Sequence, residues 1–290
     1  MRVLIVGLQG VEPTLLLEND RLSHVQELLK HGISGVIHSD PGLDPVEVWP
    51  TLVAGRSLNA SVVGRGGFPP RPLIWDAIGT EAEPVKPILV NLPFDHSHSP
   101  ETGIGNTINR SISSGSLDRG DAPESSLEPT RERFRLLREF IAKRPWTVAM
   151  LREMVHLSRQ TGDSAEEHST AFDEELGRTL EQVIAQESDL CVLLLAWHGT
   201  PSENPLAGTG ADVGSDPAGS FVLTSSKGFP SGVIDGARLI DLAPTIIALA
   251  GRAIPPEMQG RPLQLERINL DLSEEELAVR DRLQGLGYLA

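Results

Sequence analysis

Two short apolar runs, the first interrupted only by Arg2, constrain this chain most. Met1–Gly7 is apolar and β-branched and closes on a glycine, and Cys191–Trp197 is the longest apolar run in the sequence. Both have the length of a strand and neither alternates with polar residues. Each therefore reads as a strand buried on both faces, which is the habit of parallel sheets. Stretches with helical spacing lie between them. Pro13 to Gly32 carries Leu15, Leu22, Val25, Leu28 and Leu29 and ends on a glycine. The pattern predicts further strands at Ile33–His38, Val85–Leu92, Trp146–Met150, Asp189–Ala196 and Ser220–Ser225. Further helices are predicted at Trp49–Gly55, Pro72–Gly79, Arg131–Lys143 and Ser164–Gln186, and from about Asp241 with Pro244 in the first turn. Strands alternating with helices predict an α/β fold, a mostly parallel sheet with helices on both faces.

Residues 1–290 read as one domain, interrupted by an irregular loop at about 111–130 that is rich in Ser, Gly and Pro. Gly199–Ser220 reads as a second long loop. Ser273–Leu286 reads as a capped helix, with Ser273 at the N-cap and Glu276 at the capping-box position. Charge narrows the function classes. Lys and Arg number 25 against 40 Asp and Glu, a net −15. That argues against nucleic acid as a partner and against docking on an anionic membrane. The single cysteine, Cys191, rules out a disulfide framework and a Cys-rich zinc module. No run reaches the ~18 apolar residues of a membrane span, and no leader is legible at the start, so a cytoplasmic location is expected.

In open α/β sheets ligands bind outside the carboxyl ends of the strands. Three such ends carry polar residues. They are Gly7-Leu8-Gln9-Gly10, the segment Ser39–Pro45 that leads into the helix at Trp49, and Trp197-His198-Gly199-Thr200. Together with HGISGVIHSDPGLDPVEVWPTLVAGRSL, FDEELGRTLEQVIAQESDLCVLLLAWHG, ARLIDLAPTIIALAGRAIPPEMQGRPL and the final RDRLQGLGYL, these ends resemble the alkaline phosphatase superfamily over nearly the whole chain. Within it they resemble the type I phosphodiesterase/nucleotide pyrophosphatase group, and the ARLIDLAPT…GRPL segment is the most specific match.

The resemblance implies an alkaline-phosphatase-like fold and a two-metal site with cations roughly 4 Å apart, built from Asp and His ligands around a Thr or Ser nucleophile. Taken position by position, the expected first Asp is Gln9. The nucleophile position falls on Pro45 when counted back from Gly55 without a gap, and on Asp44 with one inserted residue. The Asp-His pair before Gly199 is Trp197-His198. An expected third His is replaced by Ser215. The family's Asp-x-x-x-His pair falls on Arg152 and His156, with Glu153 one residue out of step. His156 and His198 are thus the metal ligands that remain, and Asp44 is the candidate catalytic residue. A site so short of carboxylates cannot neutralise two divalent cations and a phosphate.

The segment between Asn91 and Arg131 is also too short for the family's full substrate-reading cap. The expectation is therefore a pseudoenzyme that binds a phosphorylated small molecule or a protein partner and needs no cofactor. The alternative is a metal-dependent hydrolase of phosphodiesters or phosphomonoesters that uses Zn²⁺ or Mn²⁺ in a rebuilt site, helped by Asp95 or His96 of the cluster Asp95-His96-Ser97-His98. His24, His31 and His38 do not share one face and read as solvated or capping residues. Gly64-Arg65-Gly66-Gly67 reads as a surface turn, and Cys191 as a small core residue.

Overall fold

A computed structural model describes residues 1–9, 11, 13–38, 47–58, 69–80, 84–92, 128–154, 163–197, 219–226 and 231–263. In chain order the elements are β1 (Arg2–Gln9), α1 (Pro13–Glu18), α2 (Ser23–Lys30), β2 (Ile33–His38), α3 (Val48–Ala54), α4 (Ile74–Ile78), β3 (Ile88–Val90) and α5 (Glu128–Lys143). They continue as β4 (Val148–Met154), α6 (Asp163–Gln186), β5 (Leu190–Trp197), β6 (Gly219–Ser225), β7 (Gly232–Val233), β8 (Ala237–Arg238) and α7 (Leu239–Leu249). The strands form one sheet in the order β3-β4-β1-β5-β6-β2-β7, with β8 also paired to β2. β3, β4, β1 and β5 run parallel, and β6 lies antiparallel to both β5 and β2.

The expected α/β fold is present, and the apolar runs explain it. Odd residues of β1 (Val3, Ile5) join a core with Leu52 of α3, Ile74 of α4 and Ile246 of α7. Even residues (Leu4, Val6, Leu8) join a second core with Leu16 of α1, Val25 of α2, Phe134 of α5 and Leu176 of α6. Burying each such side chain stabilises the fold by about 1.5–3 kcal/mol, so a strand between two helical layers has no place for alternation.

Several elements differ from the sequence reading. α7 starts at Leu239 and not near Asp241, so Pro244 lies inside it, and the two-residue strands β7 and β8 are not anticipated. The stretch from Pro13 to Gly32 is two helices. Asn19 breaks it: its side chain accepts the Arg21 N–H at 3.1 Å and its carbonyl accepts the Leu22 N–H at 3.1 Å, a local turn that competes with the helix. The second helix then restarts on a distant cap. The Asp173 carboxylate of α6 accepts the N–H groups of His24 and Val25, both at 3.1 Å. β3 is shorter than Val85–Leu92 because Pro84 and Pro87 precede it without ladder donors. β4 runs on to Met154, which puts Arg152 on a strand. The tail helix at 273–286 and most of the loops expected at 111–130 and 199–220 lie outside the described residues, while residues 128–130 open α5 and residues 219–220 open β6.

The ARLIDLAPT…GRPL segment is structural. Asp241 accepts the N–H of Arg261 at 2.9 Å, and the Thr245 hydroxyl accepts that of Leu263 at 2.9 Å. Gln259 and Gly260 donate to the Gly55 carbonyl at the end of α3, at 2.9 and 3.0 Å. Only glycine fits at 260, since a Cβ there would sit 1.9 Å from the Ile240 carbonyl oxygen. The segment therefore ties α7 to α3.

Candidate functional site

β3, β4, β1 and β5 all end at one edge of the sheet, because they run parallel. In register, Gly7 lies beside Arg152, and Gln9 lies between Met154 and Trp197. Alternation turns Gln9, Arg152 and Trp197 toward the α3/α7 face, the face that also carries Ile5, Met150 and Leu195. The structure therefore brings together three of the positions at which metal ligands were expected.

Their chemistry does not favour a cation. The Arg152 guanidinium donates from Nε to the Asn91 carbonyl at 2.6 Å and from Nη2 to Asn91 Oδ1 at 3.4 Å. Its Nη1 lies 3.4 Å from Gln9 Oε1. Asn91 closes the clamp by donating its own side-chain N–H to the Arg152 carbonyl at 2.9 Å. Asn91 holds the left-handed conformation at φ 59° just beyond β3, which re-aims the chain so that its main-chain oxygen and its amide both meet Arg152. With Oε1 turned to Arg152, the Gln9 amide presents its NH₂ on the other side. Trp197 is buried against Gly219 and offers an indole in place of an oxygen donor.

Beneath this layer the space is filled. The Trp49 ring at the start of α3 packs over Gly7, so that a Cβ on that residue would lie 2.2 Å from it. Glu153, the carboxylate nearest in sequence, points to the opposite face. It is 1% exposed, pairs with Arg133 of α5 at 2.8 Å and accepts from Thr130 at 2.9 Å. Burial pushes its carboxyl above the usual range, and Arg133 opposes that shift. Glu47, at the entry to α3, is a second buried carboxylate. Among the described residues no group of three or more His, Cys, Asp or Glu is placed to hold a metal. A divalent cation 4 Å from a guanidinium would meet about 8 kcal/mol of repulsion at an effective dielectric of 20, and each ~1.4 kcal/mol is tenfold in affinity. The described residues of this edge do not fit a two-metal centre.

Asp44, His156 and His198 lie outside the described residues, as do Pro45, Asp95, His96, His98, Ser215 and the turn at 64–67. His24 and His31 have structural partners: His24 Nδ1 lies 2.9 Å from Asp173, and His31 Nε2 lies 3.0 Å from Glu27. His38 ends β2, exposed. Cys191 is buried in β5, and burial pushes its thiol up to about 12, so it is no nucleophile at neutral pH. Asn91 escapes the sequence reading. Its one signal is a polar residue directly after the apolar triplet Ile88–Val90, at a strand's carboxyl end.

No family model matches the chain. One curated relative, the 2,3-bisphosphoglycerate-independent phosphoglycerate mutase of Rhodopirellula baltica, is 62% identical over 29 residues. That match spans 10% of this chain and 5% of that protein's length. Solved structures match far more of it. The phosphonate monoester hydrolase of Silicibacter pomeroyi aligns over 94% of this chain and 78% of its own, at 14% identity and a TM-score of 0.58. The phosphonate monoester hydrolase of Agrobacterium radiobacter aligns over the same shares at 11% identity and 0.61. A protein in the alkaline phosphatase superfamily from Vibrio parahaemolyticus aligns over 95% of this chain and 71% of its own, at 13% identity and 0.53. Among the described residues no helix is long and apolar enough to cross a membrane. The sheet, its two helical layers and these likenesses give the chain the fold of the alkaline phosphatase superfamily.

Proposed function

We propose that this chain is a pseudoenzyme on a phosphodiesterase-type scaffold, one that binds a phosphorylated small molecule at the carboxyl edge of its sheet without turning it over. The observation that carries the reading is the Arg152 guanidinium held by Asn91 and Gln9, at 2.6 and 3.4 Å, where the family resemblance calls for acidic ligands. A fixed planar cation suits a phosphate group and opposes a metal ion. The hydrolase names of the structural neighbours support a common scaffold. The competing reading is a hydrolase using Zn²⁺ or Mn²⁺, with Asp44 as nucleophile or ligand and His156 and His198 as metal ligands.

Thermal melting with p-nitrophenyl phosphate and bis-p-nitrophenyl phosphate, with Zn²⁺ or Mn²⁺ present, separates these readings. Binding without turnover raises the melting temperature and releases no p-nitrophenol. At a hundredfold excess over Kd the gain is about 2.7 kcal/mol. Arg152→Met should remove most of that gain. Release of p-nitrophenol that Asp44→Ala or His198→Ala abolishes would establish the hydrolase instead. Co-purification of a second chain, with no response to either ester, would make the edge a protein-binding surface.

A further inference from the structure

The opposite edge of the sheet carries a cleft of about 470 Å³ that the reading above does not use. It lies where the strands begin and where α4 and α7 end. Its walls include Arg2, Trp146 and Thr147 from the sheet side, Lys86 just before β3, and Arg252 just after α7. The volume is that of a small-molecule site.

Charge sets this cleft apart. The protein carries net −15, yet among the described residues no carboxylate lines the cleft. The acids nearest by pairing are already matched: Glu187 lies 3.1 Å from Arg2 Nε, and Asp189 lies 3.2 Å from the Met1 amine. Arg2 is fixed further by the Trp146 ring, 5.8 Å from its guanidinium carbon. Lys86 and Arg252 are exposed, and neither side chain has an ion pair or hydrogen bond among the described residues.

A bland account of two such cations is that they offset the negative ends of α4 and α7. The backbone takes that work away from them. At the end of α7, Arg252 donates its N–H to the Ile247 carbonyl at 3.1 Å, and Gly251, at φ 67°, donates to Ala248 at 2.9 Å. Those two bonds make a closed Schellman cap. At the end of α4, Gly79 donates to the Trp75 carbonyl at 3.0 Å. The Trp75, Ile247 and Ala248 carbonyls thus have main-chain partners, and Lys86 and Arg252 both line the cleft.

We propose that this cleft is a second binding site, separate from the carboxyl edge, for a small molecule bearing a phosphate-type oxyanion gripped between Lys86 and Arg252. Its ionic grip would weaken with salt, as exposed pairs do. Isothermal titration of the full chain with pyrophosphate, at low and at moderate salt, tests it. The expected result is a saturable event that weakens at least tenfold in the double variant Lys86→Ala/Arg252→Ala. It should persist in Arg152→Met and in the charge-matched control Lys30→Ala/Lys143→Ala. Melting temperatures equal to wild type would show that these exposed substitutions leave the fold intact. A binding event lost only with Arg152→Met would place the anion at the carboxyl edge and overturn the proposal. So would an event unchanged in the Lys86/Arg252 double variant, or no saturable heat. The first of these outcomes would leave the reading of the carboxyl edge standing, so the two can fail separately.

Discussion

Neighbouring residues on β4 divide the labour of the sheet's carboxyl edge. Arg152 faces the candidate site and Glu153 faces α5, one residue on and one face away. The two charges therefore do not neutralise each other by direct contact. Glu153 instead holds α5 to the sheet through Arg133 and Thr130, at 2.8 and 2.9 Å in a buried environment. Removing one partner of such a pair leaves an uncompensated buried charge, which costs about 3–5 kcal/mol. Glu153→Ala should lower unfolding stability by that amount in urea melts. A change below about 1 kcal/mol would mean that the carboxylate is not structural. Gln9 and Trp197 stand out in the sequence because they fall on positions where the family resemblance expects acids. Asn91 does not, because its role depends on a left-handed backbone and on a strand 61 residues away in sequence.

At the scale of elements, the sequence tells most where one helix or strand contains its own signal. β1 and β5 are legible because burial on both faces writes itself as an apolar run. α7 is legible from its apolar length, although it starts at Leu239, which puts Pro244 inside the helix and not in its first turn. The break between α1 and α2 is not, because α2 takes its cap from Asp173 of α6, a partner 148 residues from Val25. The segment most like the family's, Ala237–Leu263, proves to be a brace between α7 and α3. Its resemblance therefore speaks to fold, whereas the site's chemistry rests on Gln9, Asn91 and Arg152. Asp241 is the hinge of that brace, accepting from the N–H groups of Arg238 at 3.2 Å and Arg261 at 2.9 Å. Asp241→Ala leaves both donors without their partner, at about 1–3 kcal/mol each. The variant should melt several degrees lower and expose residues 255–263 to faster amide exchange. Unaltered exchange there would show that the brace is held by packing alone.

At the scale of the molecule, one sheet presents two chemically different edges. The carboxyl edge carries a clamped guanidinium over a floor of tryptophan, and the opposite edge carries a cleft lined by Arg2, Lys86 and Arg252 on an acidic protein. Metal content measures the account of the carboxyl edge most directly, since a fixed positive charge opposes a divalent ion there. The protein, purified without chelator, would be exposed to Zn²⁺ and Mn²⁺, desalted, and analysed by elemental mass spectrometry. The account predicts well under one metal per chain. One or two tightly held metals per chain, lost on replacing His156 or His198, would contradict it and restore the two-metal hydrolase.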